Sequence, residues 1–284
     1  MTILITGASG FLGSNIYQNL QYQNQHKLFG TYFQNEQDNL FYCDLTNINQ
    51  VFRLCNAINP TIIIHCAGIA TPSHPKKENL RDFLDNHILS TTNLLECNKD
   101  IKFIYISSIN IYGSTYPIQR TTSLYGACKA SCEELCRTYS QLNSLNINIL
   151  RPCAIVGEKT THGLLHDMKK KINNNIPYVE ALGSSPGSAK PYVHIDDVVS
   201  CINKCINNEY DIETLDVFPK DYLNVKQIIE IIMLKTNIKK EIIWLGEKST
   251  YKGDNKLINT SQYITGLEVD LKYKTSLEAI QNAI

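Results

Sequence analysis

The run Thr2-Ile-Leu-Ile-Thr6-Gly7-Ala-Ser-Gly10-Phe-Leu-Gly13 constrains the architecture of this chain more than any other stretch. Thr2–Thr6 is apolar and β-branched, as a buried strand requires. Phe11, Leu12, Ile16 and Leu20 then recur at helical spacing, so a helix is expected from about Phe11 to Gln21. The glycines sit at the junction. Gly7 permits a tight turn, Gly10 lets a pyrophosphate approach the backbone, and Gly13 lets the helix pack close against the strand. A helix start also presents unpaired N–H groups and the positive end of its dipole. A dinucleotide fits this context, with Gly7, Ser9, Gly10, Phe11, Leu12 and Gly13 as its candidate contacts.

Strands and helices alternate from there. Lys27–Tyr32 reads as the second strand. An acidic residue at the end of that strand would hold the adenosine ribose 2′-OH and select NAD. Here Phe33-Gln-Asn35 follows, the first carboxylate is Glu36, and no Arg or Lys stands ready for a 2′-phosphate. NAD and NADP both stay open. Asp44, in Cys43-Asp44-Leu45, is a candidate adenine contact, with a surface-turn aspartate as the alternative. Asn47–Ile58 reads as a helix that Pro60 ends. Ile62-Ile-Ile-His65-Cys66 is a continuous apolar run, as in a parallel strand buried on both faces. His65 reads as a packed strand-end residue, and Ala67-Gly68 permits close backbone approach to a cofactor. Arg81–Cys97 reads as one long amphipathic helix, with Leu84, Ile88, Leu94 and Leu95 on its apolar side. Lys102–Ser107 and Ile147–Leu150 are the next strands. This alternation is the signature of an α/β, doubly wound parallel sheet.

In such a sheet, ligands lie beyond the carboxyl ends of the strands, which puts Ser108 at the active edge. Tyr125-Gly-Ala-Cys-Lys129 opens a helix running to about Leu142, and its four-residue spacing sets Tyr125 and Lys129 on one face. A phenol titrates near ~10 in water, and a neighbouring ammonium lowers that value toward the working range. A serine hydroxyl beside it would hold a substrate carbonyl or alcohol. These are parts for moving a proton while a hydride moves elsewhere.

Composition excludes other classes. The formal net charge is zero, so no basic field points to nucleic acid or an anionic membrane. No run approaches a membrane span, and the first residues read as a strand instead of a signal peptide. The ten cysteines fall mostly inside apolar segments. Cys128, Cys132 and Cys136 recur along one helix, as do Cys201 and Cys205, so buried thiols and a cytoplasmic location are expected. His162 and His166 lack a third ligand, and no metal site is expected.

Taken in order, Gly7-x-x-Gly10-x-x-Gly13, His65-Cys-Ala-Gly68, Asn86, Ser107-Ser108-x-x-x-Tyr112-Gly113, Tyr125-x-x-x-Lys129, Leu150-Arg-Pro152 and Tyr192-Val-His-Ile-Asp-Asp197 resemble the extended short-chain dehydrogenase/reductase superfamily. The branch they resemble is that of the NAD(P)-dependent nucleotide-sugar epimerases, dehydratases and reductases. The resemblance implies a Rossmann-type NAD(P)-binding domain over residues 1–152 with parts of 190–220. A small C-terminal substrate-binding lobe would comprise 153–189 and 221–284. It implies Tyr125 as the acid/base and Lys129 as the ribose-holding cation that lowers the Tyr125 pKa. Ser108 would orient the substrate oxygen, with Ser107 as its supporting neighbour. Cofactor contacts extend to Asp44, Leu45, Ala67, Gly68 and Pro152. Lys190, Lys252 and Asp254 are implied toward the substrate diphosphate, with solvated surface lysines as the alternative. A homodimer through helices 81–97 and 125–142 is implied too, with the cysteine-bearing face of the second helix in the seam.

Departures narrow the chemistry. Sugar 4,6-dehydratases carry Asp-Glu directly after the serine or threonine, and the fucose-forming epimerase–reductases a cysteine there. This chain has Ile109 and Asn110. Where epimerases often carry a diphosphate-binding asparagine, it has Ala154. What survives is hydride transfer at C4 of a nucleotide-linked sugar. One form is a 4-ketoreductase acting on a nucleotide 4-keto-6-deoxy sugar; the other is an NAD-retaining 4-epimerase of the UDP-glucose type. The missing acid after the second strand favours the reductase and NADP. A non-catalytic dinucleotide-binding regulator is a third reading, which retention of both Tyr125 and Lys129 disfavours.

Overall fold

Strand β1, Thr2–Thr6, is buried from Ile3 onward and runs through the middle of a sheet. A computed structural model gives the fold and describes residues 1–69, 76–97, 100–112, 121, 123–209, 213–246 and 267–284. Helix α1, Phe11–Gln23, turns Ile16 and Leu20 inward and stops at Asn24, which adopts the left-handed conformation. Strands β2, Lys27–Tyr32, and β3, Phe41–Tyr42, follow. Helix α2, Ile48–Ile58, starts where the Asn47 side chain accepts from the Asn49 and Gln50 amides. Strand β4 is Ile62–His65, all buried.

The helix expected as one rod is interrupted. Leu80–Leu84 (α3) and Ser90–Glu96 (α4) flank a single π-helical turn at Asp85–Leu89. The cause lies in a polar run at its end. Ser90, Thr91 and Thr92 each send a hydroxyl back to a carbonyl of the preceding turn, on Asn86, His87 and Ile88 at 2.7, 2.6 and 2.8 Å. Such back-bonding competes with the regular ladder and bends it.

Strand β5, Lys102–Ile106, leads through a short 3₁₀ turn at Ile109–Ile111. Helix α5, Leu124–Asn143, is capped by Ser123, whose hydroxyl accepts from the Gly126 amide. Strand β6 is Asn146–Pro152. The remainder supplies β7 (Ala154–Val156), α6 (Leu164–Ile172), β8 (Tyr178–Ala181), β9 (Ala189–Lys190), β10 (Tyr192–His194) and α7 (Ile195–Ile206). It ends with β11 (Thr214–Val217), β12 (Leu223–Asn224), α8 (Val225–Thr236), β13 (Glu241–Trp244), β14 (Leu267–Glu268) and α9 (Ser276–Asn282).

Eight strands form one parallel sheet in the order β14-β11-β6-β5-β4-β1-β2-β3. One face is covered by residues of α1 and α7, such as Leu20 and Ile202. The other is covered by α2, α4 and α5 through Val51, Leu94 and Cys132. Cys128, Cys132 and Cys136 therefore lie in the chain's own interior, which removes the cysteine-bearing face from any seam with a partner. Packing against the apolar sheet is what their spacing serves. The register pairs Thr6 with His65, His65 with Tyr105, and Ile106 with Leu150. Gly7, Cys66 and Ser107 thus leave the sheet at one edge, where the strand order reverses about β1, and β6 runs on beside them to Pro152.

A separate core is built by α6, β8, α8 and α9 around Leu165, Ile172, Val179, Ile228 and Ile280. Strand β14, late in the chain, returns to the central sheet beside β11. Among the described residues no helix is long and apolar enough to cross a membrane.

Candidate active site

The glycine turn is held by contacts that no side chain would survive. Gly7 has φ +66°, and a Cβ there would lie 2.8 Å from the Ala67 Cα. A Cβ on Gly13 would lie 2.2 Å from the Gly7 carbonyl oxygen. Gly10 differs. It is exposed, and its Cβ would meet only that same oxygen, at 3.2 Å. It is also the N-cap of α1, which has no side-chain cap and no acidic residue in its first turn. The start of α1 therefore offers unpaired N–H groups to open space, and a dinucleotide pyrophosphate fits there. Ser9, Phe11 and Leu12 lie around it, each half-buried.

The second strand continues the site. The Ala8 amide donates to the Thr31 carbonyl at 2.9 Å, and the Gln37 side chain donates to the Ser9 carbonyl at 3.5 Å. Glu36, the first carboxylate past β2, is exposed. Asp44 spends one carboxylate oxygen locally, accepting from the Thr46 amide at 2.9 Å and its hydroxyl at 2.7 Å. Leu45 sends its side chain into the core and its carbonyl to Asn93 at 2.8 Å.

At the end of β4, His65 is a packed residue as expected. Its Nδ1 pairs with the Thr6 hydroxyl at 2.7 Å and its Nε2 with the Thr91 hydroxyl at 3.1 Å. Burial, with the Lys129 charge behind it, pushes its pKa down to about 3. Asn86 bonds within its own helix: its amide donates to the Asp82 carbonyl at 2.7 Å. The next residue faces inward. His87, in the π turn, packs against Phe83 at 4.8 Å and edge-on to Tyr125 at 5.6 Å between ring centroids. It also backs the loop after β4, since a Cβ on Gly68 would lie 3.2 Å from its Cε1. Burial and Lys129 push its pKa down to about 3, so the ring is neutral. Sequence reasoning missed His87, although Thr91 and Leu94, at helical spacing from it, are buried with it.

Ser108, Tyr125 and Lys129 come together. Ser108 caps the 3₁₀ turn, its hydroxyl accepting from the Asn110 amide at 3.2 Å, and it lies near enough to Tyr125 to pull the phenol's pKa down. The Asn110 carbonyl presses on α5, where a Cβ on Gly126 would lie 2.4 Å from it. Ile109 is buried in the core and offers no proton. Lys129 Nζ donates to the Ile106 carbonyl at 2.7 Å and lies 5.8 Å from the centre of the Tyr125 ring. The expected lowering of the phenol does not hold: burial pushes Tyr125 up to about 12, against the opposing pull of Ser108. Desolvation of the phenolate outweighs the stabilisation its neighbours offer. Burial likewise lowers Lys129 below its ordinary value.

Pro152 is buried at the end of β6. Lys190, on β9, has its ammonium 5.4 Å from the centre of the Tyr192 ring, and burial lowers its pKa, with Cys153 opposing. Lys252 and Asp254 lie outside the described residues, as does Gly113 of the serine motif. The Tyr192–Asp197 motif is a latch. His194 accepts from the Asp196 amide at 3.3 Å, and Asp197 accepts from the amides of Lys272 and Tyr273 at 2.6 and 3.3 Å. His166 pairs with the Thr160 carbonyl at 2.9 Å, and His162 meets the Phe11 ring edge-on. Among the described residues no three metal-ligating side chains converge.

Known proteins share this fold. The chain is 26% identical over 236 residues to Protein CapI of Staphylococcus aureus, covering 72% of this chain and 69% of that one. It is 25% identical over 224 residues to a UDP-glucose 4-epimerase of Vibrio cholerae, covering 73% and 67%. Its fold superposes on the NAD complex of the Thermus thermophilus UDP-glucose 4-epimerase with a TM-score of 0.80 and 19% identity, covering 100% of this chain and 97% of that one. A model of the NAD dependent epimerase/dehydratase family matches residues 3–218, from β1 to just past β11, and this chain belongs to that enzyme family.

Proposed function

We propose that this enzyme transfers hydride at C4 of a nucleotide-linked sugar, with Ser108, Tyr125 and Lys129 as its whole catalytic set. The observation that carries the reading is their convergence, beside an open glycine turn, at the edge where β1, β4 and β5 end. The bound dinucleotide supplies or takes up the hydride. The start of α1 would hold its pyrophosphate, with the Ala67–Gly68 backbone and Lys129 as the groups that would receive the rest of it. Ser108 donates to the sugar oxygen at C4, and Tyr125 moves the proton on that oxygen. Lys190, its ammonium desolvated beside an aromatic ring, holds the substrate diphosphate. Of the stretches 153–189 and 221–284, the part built by α6, β8, α8 and α9 is the lobe that receives the nucleotide, while β14 belongs to the central sheet.

We read the direction as reduction of a 4-keto-6-deoxy nucleotide sugar. A phenol held up to about 12 is protonated at neutral pH, ready to protonate the oxygen formed at C4. An epimerase needs the same group as a base first. The residues directly after β2 carry no carboxylate before the exposed Glu36, which favours NADPH as the reductant. The second reading is an NAD-retaining 4-epimerase, favoured by the similarity to the UDP-glucose 4-epimerases.

Incubation with 4-keto-6-deoxy nucleotide sugars and NADPH or NADH separates the two. No coenzyme consumption across CDP-, GDP-, dTDP- and UDP-linked ketosugars sinks the reductase. Co-purified NAD together with interconversion of UDP-glucose and UDP-galactose establishes the epimerase. A homodimer through the helices at 81–97 and 125–142 belongs to the same proposal, and light scattering of the purified protein reads it.

A further inference from the structure

Glu133 lies in the interior, 1% exposed, and none of the proton chemistry above uses it. It follows Lys129 by one helical turn and Tyr125 by two, on the same face of α5. Its carboxylate is fully engaged. The Ser107 hydroxyl donates to Oε1 at 2.5 Å. Arg151 grips both oxygens, Nε to Oε1 at 2.9 Å and Nη2 to Oε2 at 2.6 Å. Arg137 adds a contact to Oε2 at 3.0 Å. The other end of the Arg151 fork donates to the Tyr112 hydroxyl at 2.6 Å, and that hydroxyl donates to the Asp216 carboxylate at 2.8 Å.

The order of these residues along the chain gives the network its meaning. Ser108 stands between Ser107 and Tyr112, and both neighbours are tied to the same buried pair. Ser107, directly before Ser108, is tied to Glu133, and Tyr112, after the turn that follows Ser108, is tied to Arg151. The clamp joins the end of β5, helix α5, β6 and β11, which are the supports of Ser108, Tyr125 and Pro152. A buried ion pair of this kind adds little stability over an apolar replacement of the same shape. Fixing a geometry is what it does well, because bidentate charge-assisted bonds set both distance and orientation.

We propose that Glu133 and Arg151 are positioning residues, which hold the Ser108 hydroxyl at the Tyr125 phenol through Ser107 and Tyr112. The proposal rests on the reading of Ser108 and Tyr125 as the catalytic pair. Releasing Ser107 lets the strand end shift, and a displacement of about 1 Å at a reacting group costs roughly 10²-fold in rate.

The test uses Ser107→Ala, which removes one hydroxyl and leaves the ion pair, together with Glu133→Gln and Ser107→Thr. In Ser107→Ala, kcat should fall roughly 10²-fold. The KM for the nucleotide sugar and the NAD(P)H affinity from fluorescence titration should stay unchanged. Ser107→Thr, which keeps a hydroxyl, should restore kcat. Crystal structures of Ser107→Ala and Glu133→Gln should show the Ser108 hydroxyl out of hydrogen-bond reach of Tyr125. Unchanged kcat in Ser107→Ala, with the Ser108–Tyr125 contact intact in its crystal structure, overturns the proposal. If the wild-type protein transfers no hydride to any nucleotide sugar, the functional reading fails. The crystallographic contact then still decides the positioning role.

Discussion

Lys129 donates a hydrogen bond to the carbonyl oxygen of Ile106 at 2.7 Å, tying the catalytic helix to the strand that ends at the serine pair. One ammonium thus supports both halves of the proposed catalytic set, since Ile106 is the last residue of β5 and Tyr125 lies one turn away on α5.

Replacing that ammonium should therefore cost geometry as well as charge. Lys129→Met is expected to lower hydride transfer on the order of 10²–10⁴-fold, as loss of an acid–base component does. Lys129→Arg should not rescue it, because a planar guanidinium cannot occupy the same buried point. NAD(P)H absorbance, with circular dichroism as the control for folding, checks both.

The pH response of Tyr125 should carry the sign of its burial. With the phenol pushed up to about 12, reduction needs the protonated form and has it throughout the neutral range. The reductive rate should stay flat beyond about pH 10, where an ordinary phenol is half ionised. A rate that falls between about pH 7 and 9 would show a lowered phenol and count against this assignment.

Two glycines three residues apart should fail in different ways. Gly13→Ala places a Cβ 2.2 Å from the Gly7 carbonyl, so overpacking should cost about 1–3 kcal/mol or more of stability. Gly10→Ala meets only a 3.2 Å contact and should fold normally, yet it occupies the space offered to a pyrophosphate. Thermal melts should separate the pair in one direction, and dinucleotide titration should show Gly10→Ala as a binding defect without a Tm loss.

Acid should destabilise the fold through two buried imidazoles. His65 and His87 are each held near a pKa of about 3, below the ordinary value of 6.5. Between those values the unfolded chain binds more protons than the native one, so stability rises with pH across that window. Each group should contribute a slope approaching 1.4 kcal/mol per pH unit, by rough order of magnitude. His87→Asn should remove its share, and urea unfolding of wild type and variant at several pH values across the window reads the difference.

Lys190→Met should act on the substrate alone. The proposed diphosphate contact predicts a rise in KM for the nucleotide sugar of about tenfold or more, as loss of a charged hydrogen bond gives. NAD(P)H affinity should stay unchanged, because Lys190, on β9, is proposed to hold the substrate diphosphate and not the dinucleotide. Equal KM values in variant and wild type would remove Lys190 from the site.

Much of the fold was legible in the chain itself. The glycine turn, the buried runs Ile3–Ile5 and Ile62–Ile64, and the Tyr125–Lys129 spacing all express local rules of backbone geometry and side-chain period. The packing role of His65 was legible for the same reason, since it closes an apolar strand. The helix at 81–97 was legible as a helix but not in phase. A π turn interrupts it beside three hydroxyls that bond back to carbonyls, and within that turn His87 packs on Tyr125 while Asn86 bonds to its own helix.

The sequence by itself determined which residues can do chemistry: a phenol, an ammonium and a hydroxyl beside a phosphate-binding turn, with Ile109 and Asn110 ruling out a second acid or base. The tertiary structure decided how they stand. It set the sign of the Tyr125 shift, because burial is a sum over neighbours that no local spacing encodes. It also brought Glu133 to Arg151 and Ser107, three residues of separate elements. A buried charge finds its partner only where the sheet and helix pack, and there the fold fixes the geometry in which Tyr125 works.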